Sequence, residues 1–521
     1  MTFKYPDAIS PDNQPTRAPM PPDGMTEKDR PDKPEEACGV FGIYAPGEEV
    51  AKLTYFGLFA LQHRGQEAAG IATFDEGQIH IYKNSGLVSQ VFNEGLLGQL
   101  TGTHAIGHTR YSTTGSSRVA NAQPFVVGTR LGSVALAHNG NLVNAYELRQ
   151  EFETSELSPV TTTDSEMIAL AIAQEVNAGK DWTEGAISAF KRCEGAFSLT
   201  IATPNGVMGV RDPRGIRPLM LGVINEESDL DSDDATSSNT TKKYVFASET
   251  CGLDIIGAEF IREVRPGELI WITEKGLTSV QWANAQRKMC VFEMIYFARP
   301  DSVVDDESLY SYRMRLGKQL AIESPADVDL IMGVPDSGIP AAIGYSEQSG
   351  IPYAEGLIKN RYVGRTFIQP TQSMREAGIR MKLNPLKDVL VGKRILIVDD
   401  SIVRGTTSRK IVKALRDAGA IAVHMRISSP PVTHPCFYGI DTDNQDQLIA
   451  ATHSIKDTEK HIGVESLAYL SLEGMLDSTQ HGRDRFCSAC FTGHYPVAIP
   501  EQIQRSKLLL EKVVPLTPAS V

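Results

Sequence analysis

The sequence predicts two folded domains in series. The first is an α+β domain on a predominantly antiparallel sheet over about 38–285, and the second an α/β domain with a doubly wound parallel sheet over about 286–490. Three observations predict this order. From Cys38 to about Trp282, short apolar runs such as GVFGIYA, AIGHTRY and FSLTIAT are broken by Gly, Asn and Thr, the pattern of strands joined by turns. After about Arg299, apolar β-runs alternate with amphipathic helical stretches: VDLIMGVP then IPAAIGYSEQSG, RILIVDD then TTSRKIVKALRDAG. Before Cys38, residues 1–37 are rich in Pro and Asp with almost no apolar periodicity, so they bury too little to order themselves. Residues 491–521 are read as a C-terminal tail or helix.

Composition narrows the class. At 521 residues, 41% hydrophobic and 22% charged, the chain has the profile of a soluble globular protein of several domains. No apolar run approaches the roughly 18–20 residues of a membrane span, and the N-terminus lacks a secretion-signal pattern. The formal net charge of −13 argues against broad nucleic-acid binding. Basic residues nevertheless dominate locally between Lys359 and Arg394, so a phosphate-rich small substrate stays in play. Seven scattered cysteines suit a reducing compartment, and a cytoplasmic location is expected.

Within the first domain, DSEMIALAIAQEV reads as a helix after an Asp/Ser cap, with Met167, Ile168, Ala171 and Ile172 on one face. The acidic, Ser/Thr-rich stretch 225–243 reads as a solvated insertion between strands. Cys38 stands at the seam between the polar leader and the first strand-like run. A buried strand residue is the plain reading. A cysteine nucleophile needs a base, however, and cleavage before Cys38 would supply its own α-amine, with a reference pKa of roughly 7.7–8.0. The leader then makes sense as a removable propeptide.

RILIVDDSIVRGTTSRK carries the most specific local signal. Ile395 to Val398 form a central strand, which puts Asp399 and Asp400 at its carboxyl end, where open α/β sheets bind ligands. Ser401, Gly405, Thr406 and Thr407 follow, then a helix expected from about Ser408. The N–H groups of such a loop and the helix N-terminus cradle an anion. The paired carboxylates would repel phosphate, so they fit hydroxyls or a divalent cation. A phosphorylated ribose satisfies both. Asp399 as a simple helix cap is the alternative, and the absence of GxxxxGK excludes a P-loop.

This stretch closely resembles the phosphoribosylpyrophosphate (PRPP) motif of type I phosphoribosyltransferases. The resemblance implies that Asp399 and Asp400 face the ribose hydroxyls and Mg²⁺, while Ser401, Arg404, Gly405, Thr406 and Thr407 belong to the loop around the 5′-phosphate. GVPDSG resembles the family's pyrophosphate loop, with Ser337 near the metal. The stretch beginning KNRYVGR resembles the loop that closes over PRPP, giving Lys359, Arg361 and Arg365 a reason to be basic.

CGVFGIY, LQHRGQEAAGI, IGHTRYSTTG, LAHNGNLVN and TTTDSE occur in that order and resemble the glutaminase domain of class II glutamine amidotransferases. That family folds as an N-terminal-nucleophile α-β-β-α sandwich. The resemblance assigns Cys38 as nucleophile and Arg110 as the clamp on the glutamine carboxylate. It places Asn139 and the Gly140 amide in the oxyanion hole, and Asp164 on the substrate ammonium.

The remaining cysteines form a second pattern. Cys487 and Cys490 make a C-x-x-C pair, while Cys290 and Cys436 lie far from it in the chain. Four thiolates suit zinc or a 4Fe-4S cluster, and spacing does not choose between them. Buried free thiols are the plain alternative, and Cys193 and Cys251 are expected in the core. Beyond residue 37 the whole chain resembles enzymes that join both activities, making 5-phosphoribosylamine, pyrophosphate and glutamate from glutamine, PRPP and water at the start of purine synthesis. One branch of them implies a propeptide and a structural 4Fe-4S cluster on Cys290, Cys436, Cys487 and Cys490. The resemblance also implies a homo-oligomer, usually a tetramer, inhibited by purine nucleotides. Two rival readings are a different class II amidotransferase, opposed by the PRPP motif, and a non-catalytic PRPP-sensing regulator, which has no use for Cys38, Arg110, Asn139 and Asp164.

Overall fold

The computed structural model of the chain describes residues 38–111, 118–155, 157–225, 242–360, 383–442 and 445–501. The leader 1–37, most of the insertion 225–243, Arg361, Arg365 and the end of the tail lie outside the described residues.

The first domain is two stacked antiparallel sheets between helices. Its strands, in chain order, are β1 (Gly39–Tyr44), β2 (Ala68–Asp75), β3 (Gln78–Ser85), β4 (His104–Arg110), β5 (Phe125–Thr129), β6 (Gly132–Leu142), β7 (Gly195–Thr203), β8 (Gly206–Arg211), β9 (Met220–Ile224), β10 (Lys243–Ala247), β11 (Glu259–Glu263), β12 (Glu268–Thr273) and β13 (Gly276–Gln281). One sheet runs β11-β9-β10-β1-β4-β2-β3 and the other β13-β12-β8-β7-β6-β5. Period-two alternation gives each strand two faces. In β1, Val40 and Tyr44 enter the layer between the sheets, where Phe74, Ile106, Ala137, Phe246 and Ile270 also pack. Phe41 and Ile43 point the other way, into the cluster that holds Leu58 of α1 (Val50–Ala60).

The outer face of the second sheet is covered by α2 (Asp164–Asn177) and α3 (Trp182–Phe190). Helix α2 is buried almost all round, beyond the single face that its periodicity predicts, because it lies between the sheet and its neighbouring helices. Its cap is Thr163 rather than an Asp/Ser pair: the Thr163 hydroxyl accepts the Glu166 N–H, and Asp164 is the first helical residue.

The second domain carries a parallel sheet of four strands, β14 (Leu330–Gly333), β15 (Arg394–Asp399), β16 (Ala422–Ile427) and β17 (Ser466–Tyr469), in that spatial order. Both faces of β15 are covered, as the unbroken apolar run RILIV requires. Ile395 and Ile397 pack into one cluster, Leu396 and Val398 into the other. Helices α4 (Leu309–Glu323) and α5 (Ile339–Ser349) pack on each other, and α6 (Thr406–Asp417) follows β15.

Candidate active site of two linked centres

The first centre lies at the edge of the sandwich where β1 begins. Cys38 precedes β1, a central strand held between β10 and β4, and Gly39 beside it admits no side chain because a Cβ would sit 2.6 Å from Thr109 Oγ1. Cys38, Arg110, Tyr111, Gln123, His138, Gly140, Thr163, Asp164 and Ser165 line one small cavity. Arg110 is the last residue of β4 and Asp164 the first of α2, so two elements offer opposite charges to the same space. The Asp164 carboxylate also accepts the Leu142 N–H at 2.9 Å, and Glu166 staples the preceding loop by accepting the Val160 and Thr161 N–H groups at 2.9 and 2.8 Å.

Electrostatics define what the cysteine lacks. Burial pushes the Cys38 thiol above its ordinary value, opposed by the Tyr111 carbonyl contact and the charge of Arg110. The thiol donates to that carbonyl at 3.4 Å. Near neutrality Cys38 is therefore a thiol that needs a base. His138, 3.6 Å from Asp164, is kept neutral by burial. His108 is pushed down to about 3 by burial, so neither histidine presents a cation to this cavity.

Gly140 adopts φ 148°, and a Cβ there would land on the Ala196 carbonyl oxygen, so only glycine fits. Asn139, next to it in β6, does not line the cavity. It is fully buried, and among the described residues neither its Oδ1 nor its Nδ2 has a partner. An unpaired buried amide costs about 1–3 kcal/mol, which marks Asn139 as a group waiting for a partner.

The second centre is where β14 and β15 end. Parallel pairing of Gly333 with Val398 brings the GVPDSG loop beside Asp399 and Asp400. Both carboxylates are buried: Asp400 accepts the Ser337 and Ser401 hydroxyls, and Asp399 accepts the Asp400 N–H at 3.0 Å. Helix α6 starts at Thr406, two residues before the expected Ser408, because Gly405 at φ 79° turns the chain directly into it. The first turn of such a helix, here Thr406 and Thr407, presents backbone N–H groups that suit an anion. Lys359 reaches Asp336 of the GVPDSG loop at 2.6 Å, while Arg404 donates to Gln447 at 2.8 Å.

Cys290, Cys436, Cys487 and Cys490 meet in a third place, around a cavity that Arg217, Tyr438 and Tyr495 also line. Cys290 and Cys487 stand opposite each other in a two-stranded parallel pair. Burial raises three of these thiols, Cys290 to about 11, while the charge of Arg217 opposes the shift at Cys290 and Cys487. Among the described residues, no three of His, Cys, Asp or Glu converge tightly enough to hold a single metal ion. Cys193 and Cys251 are buried in the core as expected.

Sequence reasoning misses one feature that connects these places. Arg64, Glu249, Glu293 and Arg217 are fully buried together. Their residues come from four separate segments, which no local spacing links. Gln123, His138, Thr163 and Ser165 of the first cavity are likewise unassigned in the sequence reading.

A family model described as a glutamine amidotransferase domain matches residues 108–230, and one described as a phosphoribosyl transferase domain matches residues 314–429. Fold and centres thus define a glutamine amidotransferase fused to a phosphoribosyltransferase. The amidophosphoribosyltransferase of Synechococcus elongatus is 67% identical over 486 residues, 93% of this chain and 96% of that protein. That of Bacillus subtilis is 47% identical over 474 residues, 89% of this chain and 95% of that protein. The chain belongs to the amidophosphoribosyltransferase family. Among solved structures, the glutamine PRPP amidotransferase of B. subtilis complexed with ADP and GMP superposes with a TM-score of 0.81 at 45% identity, covering 89% of this chain and 98% of that one. A second, described as the allosteric regulatory enzyme of purine biosynthesis, gives 0.82 at 46% identity, covering 89% and 97%.

Proposed function

We propose that this chain catalyses the first committed step of purine synthesis with Cys38 as its glutaminase nucleophile: glutamine, PRPP and water give 5-phosphoribosylamine, pyrophosphate and glutamate. The observation that carries the assignment of Cys38 is its cavity, where a buried thiol shares one space with Arg110, Asp164 and the Gly140 strand edge. Arg110 and Asp164 suit the carboxylate and ammonium of an amino acid. Cys38 Sγ attacks the side-chain amide carbon while its α-amine, freed by loss of residues 1–37, takes the thiol proton and passes it to the leaving ammonia. Water then cleaves the thioester to glutamate. Asn139, with its unpaired amide, and the Gly140 N–H are placed to meet the oxyanion.

At the second centre the lone pair of ammonia attacks C1 of the ribose, pyrophosphate departs with the bonding pair, and the new amine sheds a proton. Asp399, Asp400 and Ser337 would hold Mg²⁺. Two carboxylates without a third fit this ion, which is usually bound by one or two carboxylates plus substrate phosphates. Lys359 would bind PRPP, as would Arg361 and Arg365, which lie outside the described residues and rest on the family resemblance; Ser401, Arg404, Gly405, Thr406 and Thr407 would face the 5′-phosphate.

Cys290, Cys436, Cys487 and Cys490 would hold a 4Fe-4S cluster. Two features support this. The four line one cavity, and Arg217 on its wall has a buried guanidinium nitrogen with no partner among the described residues. The group's role here is to join three distant segments. Inhibition by purine nucleotides is supported by the ADP and GMP complex of the B. subtilis relative. A homotetramer and a cytoplasmic location rest on the family resemblance; no helix among the described residues is long and apolar enough to cross a membrane.

Intact mass and N-terminal sequencing of anaerobically purified protein, with glutamate release assayed with and without PRPP, test the reading. A chain starting at Cys38 with PRPP-stimulated release is expected. Normal turnover by a chain that still carries its leader would rule out the α-amine as base.

A further inference from the structure

We infer that Arg217 is a positioning residue that ties the four-cysteine site to the backbone of the nucleophile. This inference rests on the proposed cluster in that site. Arg217 lies in the loop between β8 and β9, is fully buried, and lines the cysteine cavity. Its three nitrogens differ in what they meet. Nε donates to the Tyr438 carbonyl at 2.9 Å and Nη1 to Glu293 at 3.0 Å, while Nη2 has no partner among the described residues. A buried guanidinium nitrogen without an acceptor is costly, and four cysteine sulfurs lie on the wall of the same cavity.

From Glu293 the chain of contacts continues. Glu293 sits on a π-helical turn (Glu293–Phe297) and accepts two bonds from Arg64, at 2.6 and 3.1 Å. Arg64 Nε donates in turn to the Cys38 carbonyl at 3.2 Å. Gly65, next to Arg64, packs on the end of β4 so closely that a Cβ would meet the Thr109 carbonyl carbon at 2.5 Å. Arg64 is shared with Glu249, which it meets at 2.5 Å, and Glu249 also receives His63 at 2.7 Å. Two arginines and two glutamates therefore balance in a dry space, and each link is a charge-assisted bond.

A parallel path leaves the same cysteines. Tyr438 donates its N–H to Cys436 Sγ at 3.4 Å, and the following Gly439 packs on the Gly140 backbone, where a Cβ would be 3.0 Å from Gly140 O. Asn141 Nδ2 donates to the Phe437 carbonyl at 3.1 Å. The segment 436–439 thus touches the oxyanion strand on one side and the cysteine cavity on the other. Arg217 braces it through Tyr438 and reaches Cys38 through Glu293 and Arg64. An occupied cysteine site gives Nη2 its acceptor and fixes this brace; an empty one leaves Arg217 short of a bond and the Cys38 carbonyl held by a loosened arm.

The test uses full-length protein matured and purified without oxygen. Iron and sulfide per chain, the reduction potential of the cluster, kcat and KM for glutamine, and the rate of Cys38 alkylation are measured for wild type, Arg217→Gln, Arg217→Lys and Glu293→Gln. Loss of the cation and donor at residue 217 should move the potential to more negative values, with Arg217→Lys between Arg217→Gln and wild type. Chelator removal of iron should slow Cys38 alkylation about tenfold in wild type and change it less than about twofold in Glu293→Gln, whose relay is already cut. Glu293→Gln keeps the backbone contact of residue 293 with Cys290 and leaves Arg217 in place, so it keeps the test decisive if Arg217→Gln does not fold. Iron-loaded wild type whose alkylation ignores iron removal, or an Arg217→Gln cluster with an unchanged potential, overturns the inference while leaving the cluster in place. Iron-free wild type overturns the cluster itself, and the inference with it.

Discussion

At residue scale, the chemistry divides between groups that charge supplies and groups that burial withholds. Burial keeps the Cys38 thiol protonated, so glutamine hydrolysis should depend on the α-amine as its base. Protonation removes that base, so kcat should fall about tenfold per unit as pH drops below about 7.7–8.0, and a pH–rate profile of glutamate release checks it. If Asn139 serves the oxyanion as proposed, its amide, unpaired among the described residues, would meet charge only in the transition state, and Asn139→Ala should lower kcat by about 10²–10³-fold with little change in KM. Steady-state kinetics on glutamine decide it. Cys38, Arg110, Gly140 and Asp164 are legible in the sequence because each lies in a short contiguous motif. Arg217 is not: its partners are Glu293 and Tyr438, and no local spacing encodes a contact among segments that far apart.

At the scale of elements, hydrophobic period and turn residues carry most of the outcome. The alternation in GVFGIYA and the solid apolar run RILIV distinguish a strand between two layers from one buried on both faces. The start of α6 is misplaced by two residues because Gly405 has the left-handed backbone that glycine alone adopts without strain, and spacing does not report φ. Helices α4 and α5 cross on glycine. A Cβ on Gly317 would land on the Ala341 carbonyl oxygen, and one on Gly344 on the Met314 carbonyl oxygen. Alanine gains about 1 kcal/mol of helix propensity over glycine, but the clash is with backbone, which cannot rotate away. Gly317→Ala should therefore destabilise the second domain by about 1–3 kcal/mol, read as a lower denaturant midpoint at unchanged slope.

At the scale of the whole molecule, buried ion pairs hold the halves together. Glu263 at the end of β11 meets Arg211 at 2.7 Å and Arg287 at 2.9 Å, and accepts the Asp305 N–H at 2.6 Å from the second domain. Burial opposes its charge, yet Arg211 and Arg287 hold its carboxyl down to about 2 from an ordinary 4.5. The stabilisation is then complete above about 4.5 and drains away as pH falls toward about 2. Glu263→Gln should cost about 3–5 kcal/mol near neutrality and flatten the acid limb of a tryptophan-fluorescence stability curve. The close approach of Gly439 to Gly140 carries a different consequence, one of ancestry. Gly140 lines the Cys38 cavity, and the second domain packs on its backbone with no room for a methyl group between them. Neither half could be traded for a counterpart from another enzyme without refitting that seam, so ancestry would constrain the two as one unit.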